Sequence, residues 1–394
     1  MNLWLKYFDE VEVVGALIRK KGEDKEVRGK EKNELCYDHC NLKFTPIPSF
    51  NLLNFNNALK AAIRLPYIFF KIINAMHRAD HLHLRCPGNV GLIACLCQIF
   101  FPSKPKTVKY AGNWAPQAKQ PWTYKFQKWI LSNTFFSRNV RVLVYGKWPE
   151  QTKNVVPFFT ASFSEKDISS IEEKDFSGPF TFLFVGNLVP GKKPLESVKL
   201  VERINFGTDQ EVSVNLEIYG EGPERKKLET YVKEKQLGQL ITLKGNRPLE
   251  ELKGAYQKAH FVILPSCSEG WPKAIAEGMF FGCIPIATPV SCVPWMLANG
   301  SRGILLGENQ EIRFKNQEGK KGWSVDSGQG AEDLKKISQL IDNPEKMKRM
   351  SEAAKEWSQQ YTLERFEEAI KEVLYKEQQT PNHKQKSASP TVNR

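Results

Sequence analysis

The densest chemistry in the chain lies between Pro265 and Thr288, where Pro-Ser-Cys-Ser-Glu-Gly-Trp-Pro-Lys-Ala-Ile-Ala-Glu-Gly runs on to Gly282-Cys-Ile-Pro-Ile-Ala-Thr. The pattern predicts a strand ending at Pro265, a loop carrying Glu269 and Gly270, and a helix opening at Pro272. Proline suits a helix's first turn, where its missing N–H costs nothing. The free amides of that turn, around Ala274 and Ile275, form an anion site suited to a diphosphate. Glu277 falls about one turn into the helix, so two carboxylates bracket its tip. A Glu-x7-Glu pair alone is common by chance; the Gly, Pro and Ile-Pro-Ile-Ala-Thr context sets this one apart.

Such a loop needs a rigid sheet beneath it. Short apolar runs at 179–186, 212–220, 241–245, 261–265 and 283–288 alternate with helical segments at 195–204, 224–235, 249–259 and 273–281. Apolar strands alternating with helices imply a parallel sheet with right-handed crossovers, a doubly wound α/β domain. The first half repeats the rhythm more faintly. Strands are expected at 11–17, 81–85, 107–111 and 140–145, with helices at 56–78 and 89–101. A length of 394 residues fits two such units. The expected division is 1–157, a charged, serine-rich linker 158–177, a second unit 178–342, closing helices 343–376, and a polar tail from 377 whose composition suits disorder.

The 265–288 stretch resembles the donor-site signature of the family 4 retaining glycosyltransferases, which have the two-domain GT-B fold. Gly186-Asn-Leu-Val-Pro-Gly-Lys192 is similar to that family's Gly-Arg-Leu-x-x-x-Lys loop, and Gly220-Glu-Gly-Pro-Glu-Arg225 to its Gly-x-Gly-Pro segment. The resemblance implies a nucleotide-diphosphate sugar, UDP- or GDP-linked, as co-substrate. It implies a donor site built from Gly186, Asn187, Lys192, Arg225, Gly270, Ala274, Ile275 and Glu277. Lys192 and Arg225 would meet the diphosphate, Glu277 the ribose and Glu269 the transferred sugar. By alignment His83 takes the first position of the family's His-x-His pair and Arg85 replaces the second, which makes both candidate catalytic residues. Cationic side chains at a leaving diphosphate make an obligatory metal unnecessary, and there is no Asp-x-Asp motif; no cofactor is expected. The acceptor would be a polysaccharide, lipopolysaccharide or glycolipid.

Several positions depart from the family pattern. Asn187 stands where arginine is usual, and Lys193 beside Lys192 is positioned to compensate. Ser291-Cys292-Val293-Pro294-Trp295 replaces a glycine pair. The chain opens on what reads as the end of a first helix and a second strand, so the first strand and its glycine-rich loop are expected to be missing. That keeps a second reading open: a catalytically silent GT-B protein that binds nucleotide sugar or a partner.

The bulk properties narrow the field further. Lysine and arginine number 57 against 44 acids, a net charge of +13, which favours anionic partners. No RNA-binding or helix-turn-helix signature accompanies it, so nucleic acid is not expected. The longest apolar run, 90–101, is too short to span a bilayer, and acids at 9, 10 and 12 interrupt any signal-peptide pattern. A cytoplasmic protein, peripheral at the inner face of the membrane, is the expectation. Basic and aromatic residues interleave at 57–78 and 119–138, a composition suited to an anionic bilayer surface and equally to a packed core. Eight cysteines do not form a disulfide framework in a chain this long. Cys36 and Cys40 flank His39 without a second pair at metal-ligand spacing. The other six cysteines read as buried thiols.

Overall fold

The computed structural model describes residues 2–16, 37–48, 55–206, 213–307, 311–315, 321–325 and 327–375. The first half begins with a helical turn, α1 (Asn2–Leu5), and two strands, β1 (Val11–Ala16) and β2 (Leu42–Ile47), paired in parallel as a small separate sheet. There follow α2 (Phe55–Arg78), β3 (Leu82–Cys86), α3 (Asn89–Cys97), β4 (Lys106–Tyr110), α4 (Trp122–Ser132), β5 (Val140–Tyr145) and β6 (Val155–Phe158). Strands β3 to β6 lie side by side in chain order, all parallel.

The second half holds β7 (Phe180–Val185), α5 (Pro194–Phe206), β8 (Val214–Tyr219), α6 (Arg225–Glu234), β9 (Ile241–Gly245), α7 (Leu249–Lys258), β10 (Phe261–Leu264), α8 (Lys273–Phe280), β11 (Ile284–Ala287), α9 (Val293–Met296) and β12 (Ile304–Leu305). Its parallel sheet runs in the order β12-β11-β10-β7-β8-β9. The chain therefore winds outward from β7 in one direction and from β10 in the other. Helices cover both faces, which is why β10 and β11 are apolar at nearly every position rather than alternating.

Three features escape the sequence pattern. β2 is an exposed strand with little periodicity. A hairpin, β13 (Glu311–Lys315) and β14 (Lys321–Val325), follows β12. The closing helices begin earlier than expected, with α10 (Ser327–Ile341) before α11 (Pro344–Ser358) and α12 (Leu363–Tyr375). The start of α11 is fixed by the Asn343 side chain, which accepts from the Lys346 amide at 2.9 Å, and by Pro344 in the first turn. The expected disordered tail from 377 lies outside the described residues, as does Cys36. Cys267 is exposed rather than buried, on a loop whose amide donates to the Gly191 carbonyl at 2.8 Å.

The two halves are tied by α11 and α12. Ser358 and Ser351 hydroxyls donate to the carbonyls of Ala276 and Gly282, each at 2.6 Å, holding α11 on α8. Helix α12 then returns to the first half, where Phe366, Ile370 and Val373 pack with Trp4, Leu143 and Phe158. No helix among the described residues is long and apolar enough to cross a membrane.

Candidate active site

In an open parallel sheet the ligand crevice lies beyond the carboxyl ends of the strands, where the winding direction reverses. Here that point falls between β7 and β10. The loops leaving those strands are 186–193 and 265–272, the two segments singled out by their residue types. They are joined directly: the Cys267 amide donates to the Gly191 carbonyl, and the Lys192 ammonium lies 2.5 Å from Glu269 Oε1. Glu269 is nearly buried and Lys192 about one quarter exposed, with side-chain exposures of 8% and 27%.

Glycine is required at two places. Gly220 has φ +147°, and a Cβ there would stand 1.9 Å from the Gly186 carbonyl oxygen, so only glycine lets the loop after β8 touch the loop after β7. A Cβ on Gly270 would stand 2.2 Å from the carbonyl oxygen of Ala111 at the end of β4, so only glycine lets the Glu269 loop meet the other half. Ser291 Oγ and Cys292 Sγ donate to the Gly270 carbonyl at 3.0 and 3.2 Å. The residues in place of a glycine pair thus fix this loop.

The helix tip needs one correction. The Ile275 amide is spent on the Pro272 carbonyl at 3.0 Å, because the first turn is tight. Among the described residues, the amides of Lys273 and Ala274 have no acceptor. The free amides at the α8 tip are therefore those two, one position earlier than the expected pair. Glu277, half-buried, accepts from Ser162 Oγ at 2.5 Å and Tyr256 OH at 3.0 Å, one oxygen each. Burial, followed by the Glu277 charge, raises the Tyr256 phenol well above its ordinary value, so it stays protonated as a donor.

His83 does not reach the cleft. His83 and Arg85 on β3, with His81 just before the strand, share a face, but α1 and the turn after it cover the two histidines. Trp4 lies 4.7 Å from the His83 ring and Phe8 lies 5.3 Å from the His81 ring. Both imidazoles bond the Thr107 hydroxyl, and His83 Nε2 is buried without a partner. Burial brings their pKa values down to about 4 for His81 and about 3 for His83. Arg85, at the strand's exposed end, does remain available.

Arg225 is held by acids of its own segment, with Glu221 and, at 2.7 Å, Glu229 as partners. These raise its pKa, the hydrogen bond to Glu229 being the largest cause, so in this structure the guanidinium is engaged by its own segment. Asn187 and Gly186 stand in the loop beside Lys192, where Gly186 donates to the Tyr219 carbonyl at 2.9 Å.

Other residues join the site that sequence reasoning passed over. Lys109 is the register partner of Arg85 on β4. Its ammonium lies 5.1 Å from the Phe366 ring centre and 5.9 Å from that of Tyr145. Burial first, then the charges of Arg85 and Lys273, brings its pKa down to about 8. Trp271, next to Gly270, has a buried indole N–H without an acceptor and packs 5.8 Å from the Tyr145 ring. The alternation Lys106-Thr-Val-Lys-Tyr110 is the sequence signal that places Lys109 on the Arg85 face, once β3 and β4 are paired. Among the described residues no cluster of three or more metal-ligating side chains occurs. His39 is engaged otherwise, its Nδ1 accepting from the Asn41 amide at 3.1 Å and its Nε2 facing the Phe8 carbonyl at 2.8 Å.

Residues 165–317 match the family described as glycosyl transferases group 1. The matched segment contains Lys192, Glu269, Glu277 and the α8 tip. An uncharacterized glycosyltransferase, MJ1178 of Methanocaldococcus jannaschii, is 29% identical over 197 residues, 50% of this chain and 48% of the relative. The putative colanic acid biosynthesis glycosyltransferase WcaL of Salmonella typhimurium is 32% identical over 106 residues, 25% of this chain and 26% of that protein. The chain thus spans about half or less of the curated relatives it matches. Among solved structures, a glycosyltransferase from Rickettsia africae superposes with TM-score 0.59 at 12% identity, covering 86% of each chain. Alr3699/HepE of Anabaena, crystallised with UDP and glucose, superposes with TM-score 0.56 at 15% identity, covering 86% of this chain and 87% of that one. The fold is GT-B: two Rossmann-like α/β domains with parallel sheets.

Proposed function

We propose that this chain is a glycosyltransferase that takes its sugar from a nucleoside diphosphate donor, UDP- or GDP-linked, and transfers it with retention of anomeric configuration. The observation that carries the reading is the meeting of Lys192, Glu269 and the two free amides of α8 at the sheet's reversal point.

Breaking the bond between the anomeric carbon and the phosphate oxygen leaves positive charge on the sugar and negative charge on the diphosphate. The Lys192 ammonium and the amides of Lys273 and Ala274 oppose the negative charge in a partly water-excluded place, where fixed donors act more strongly than in bulk water. The Glu269 carboxylate faces the developing positive charge. The acceptor hydroxyl then attacks from the face the phosphate leaves, its oxygen bonding the anomeric carbon while its proton passes to the departing phosphate oxygen. No second nucleophile is needed. Glu277, oriented by Ser162 and Tyr256, is placed one turn along to bind the ribose hydroxyls. With cations supplied by the chain, the reaction requires no metal.

Two relatives bear names from colanic acid biosynthesis, which favours a glycan or lipid-linked acceptor in cell-envelope polysaccharide assembly. The first half also carries exposed rings suited to a membrane surface. Phe69 and Phe70 on α2, Phe100 after α3, Trp129 on α4 and Phe135 are 36%, 64%, 66%, 54% and 67% exposed. Peripheral attachment to an anionic bilayer follows from this face and the net charge of +13.

The test is a screen of UDP- and GDP-sugars by thermal stabilisation, followed by transfer of labelled sugar with EDTA present. Stabilisation and transfer support the whole reading. Stabilisation without transfer or hydrolysis leaves a silent binding protein, and no stabilisation by any nucleotide removes the donor site.

A further inference from the structure

We infer that the cleft holds a second anion subsite, formed by Arg85 and Lys109 of the first half and closed by Lys273 from the second. It binds a carboxylate or phosphate on the substrate that is distinct from the donor's diphosphate. The inference rests on the proposed donor site.

Arg85 and Lys109 are opposed in the β3–β4 register, so both side chains rise from one face at the carboxyl ends of adjacent strands, about 4.8 Å apart. Two residues after Lys109, the Ala111 carbonyl abuts Gly270, which places the pair beside Glu269 and Trp271. Lys273 begins α8 two residues beyond Trp271. The Tyr145 and Phe366 rings flank the Lys109 ammonium, and the Tyr145 ring reaches Trp271.

What the three cations lack is an acid. Among the described residues none of them has a carboxylate at ion-pair distance, although nearby Lys192 has one. Ring faces attract an ammonium but accept no hydrogen bond of ordinary strength. Burial first, and then the like charges of Arg85 and Lys273, oppose the protonated form of half-buried Lys109. A folded chain gains nothing from this arrangement on its own; a bound anion satisfies it. The donor diphosphate is assigned separately, to Lys192 and the amides of Lys273 and Ala274, so Lys273 gives its amide to one site and its side chain to the other.

The experiment compares affinities in the full chain by calorimetry. In one arm, protein saturated with UDP, or with GDP if only that binds, is titrated with glucose, glucuronate and glucose 6-phosphate. In the other, UDP-glucuronate is compared with UDP-glucose. The expected result is at least tenfold tighter binding of the acidic member in one arm. The first arm assigns the anion to the acceptor and the second to the transferred sugar. Lys109→Met abolishes the preference, keeps UDP affinity within twofold and raises the melting temperature, since an unpaired ammonium is gone; Arg85→Gln weakens the preference independently. No preference in either arm, or a preference that survives Lys109→Met, overturns the subsite. If neither UDP nor GDP binds at all, the donor reading itself fails.

Discussion

Lys192 and Glu269 meet at 2.5 Å across two loops, and the pair does two things at once. It holds the loop after β10 against the loop after β7, and in the proposed donor site it sets a cation beside the diphosphate. The two roles separate by mutation. Lys192→Ala is expected to weaken UDP or GDP binding by about tenfold to a hundredfold, the worth of one charge-assisted hydrogen bond. It also leaves Glu269 nearly buried without its partner, at a cost of about 2 kcal/mol. Adding Glu269→Gln restores most of that stability, because a neutral amide needs no counter-charge, and restores none of the affinity. Calorimetry and denaturant melts read the two quantities separately. Recovery of affinity in the double variant would mean that Lys192 acts only as a strut.

The strand β3 carries the next prediction. Its outer face presents His81 and His83 to one Thr107 hydroxyl, with Trp4 and Phe8 above them. Each imidazole meets that hydroxyl through one ring nitrogen, and burial favours the neutral form of both. Unfolded, they titrate near 6.5; folded, burial holds them at about 4 and about 3. The unfolded chain therefore binds more protons as pH falls below 6.5, and stability falls with it. The contribution is whole above about 6.5 and is lost progressively toward 4. Half-buried His260, lowered in the same direction by burial, adds to the slope. Melting temperature should fall between pH 6.5 and 4.5, above the range where the carboxylates titrate. His81→Gln with His83→Gln should flatten that fall. An unaltered slope in the double variant would show that these rings are solvated.

At the scale of the whole molecule, α2, α3 and α4 cover one side of the first sheet and turn their outer rings to solvent. Phe69 meets Phe100 at 6.1 Å, and Phe126, Trp129, Phe136 and Phe135 form a chain of ring contacts at 5.4–5.8 Å. Beneath them, buried Gln98 donates to the Phe136 carbonyl at 3.2 Å and ties the segment after α3 to the one after α4. The basic residues divide. Lys125 is free on the surface, whereas Lys128 donates to the carbonyls of Trp114 and Ala115 and caps structure instead. Flotation with vesicles should show binding that rises with anionic lipid and falls with salt. Phe70→Ser with Trp129→Ser should cut it several-fold without lowering the melting temperature. Binding that ignores lipid charge would separate this face from the membrane.

Sequence alone determined the alternation of strand and helix in the second half, because strands buried on both faces must be apolar and each is bounded by glycine or proline. It also determined the cluster around Glu269, since a proline-led helix after a glycine loop has one local geometry whatever surrounds it. The same local reasoning misplaced His83 and the Ile275 amide and did not foresee the ion pairs of Arg225. Parity puts His83 and Arg85 on one face, but only the packing of Trp4 and Phe8 decides which of them is covered. The type and position of Arg225 are read from the sequence, and its pairing depends on how Glu221 and Glu229 turn toward it. Lys109 gained meaning only when β3 and β4 were set in register and α12 returned from the end of the chain to lay Phe366 beside it. Charges and apolar runs are properties of residues in order along the chain. Pairing, covering and neutralisation depend on distance, and distance between residues far apart in sequence is fixed by the tertiary fold.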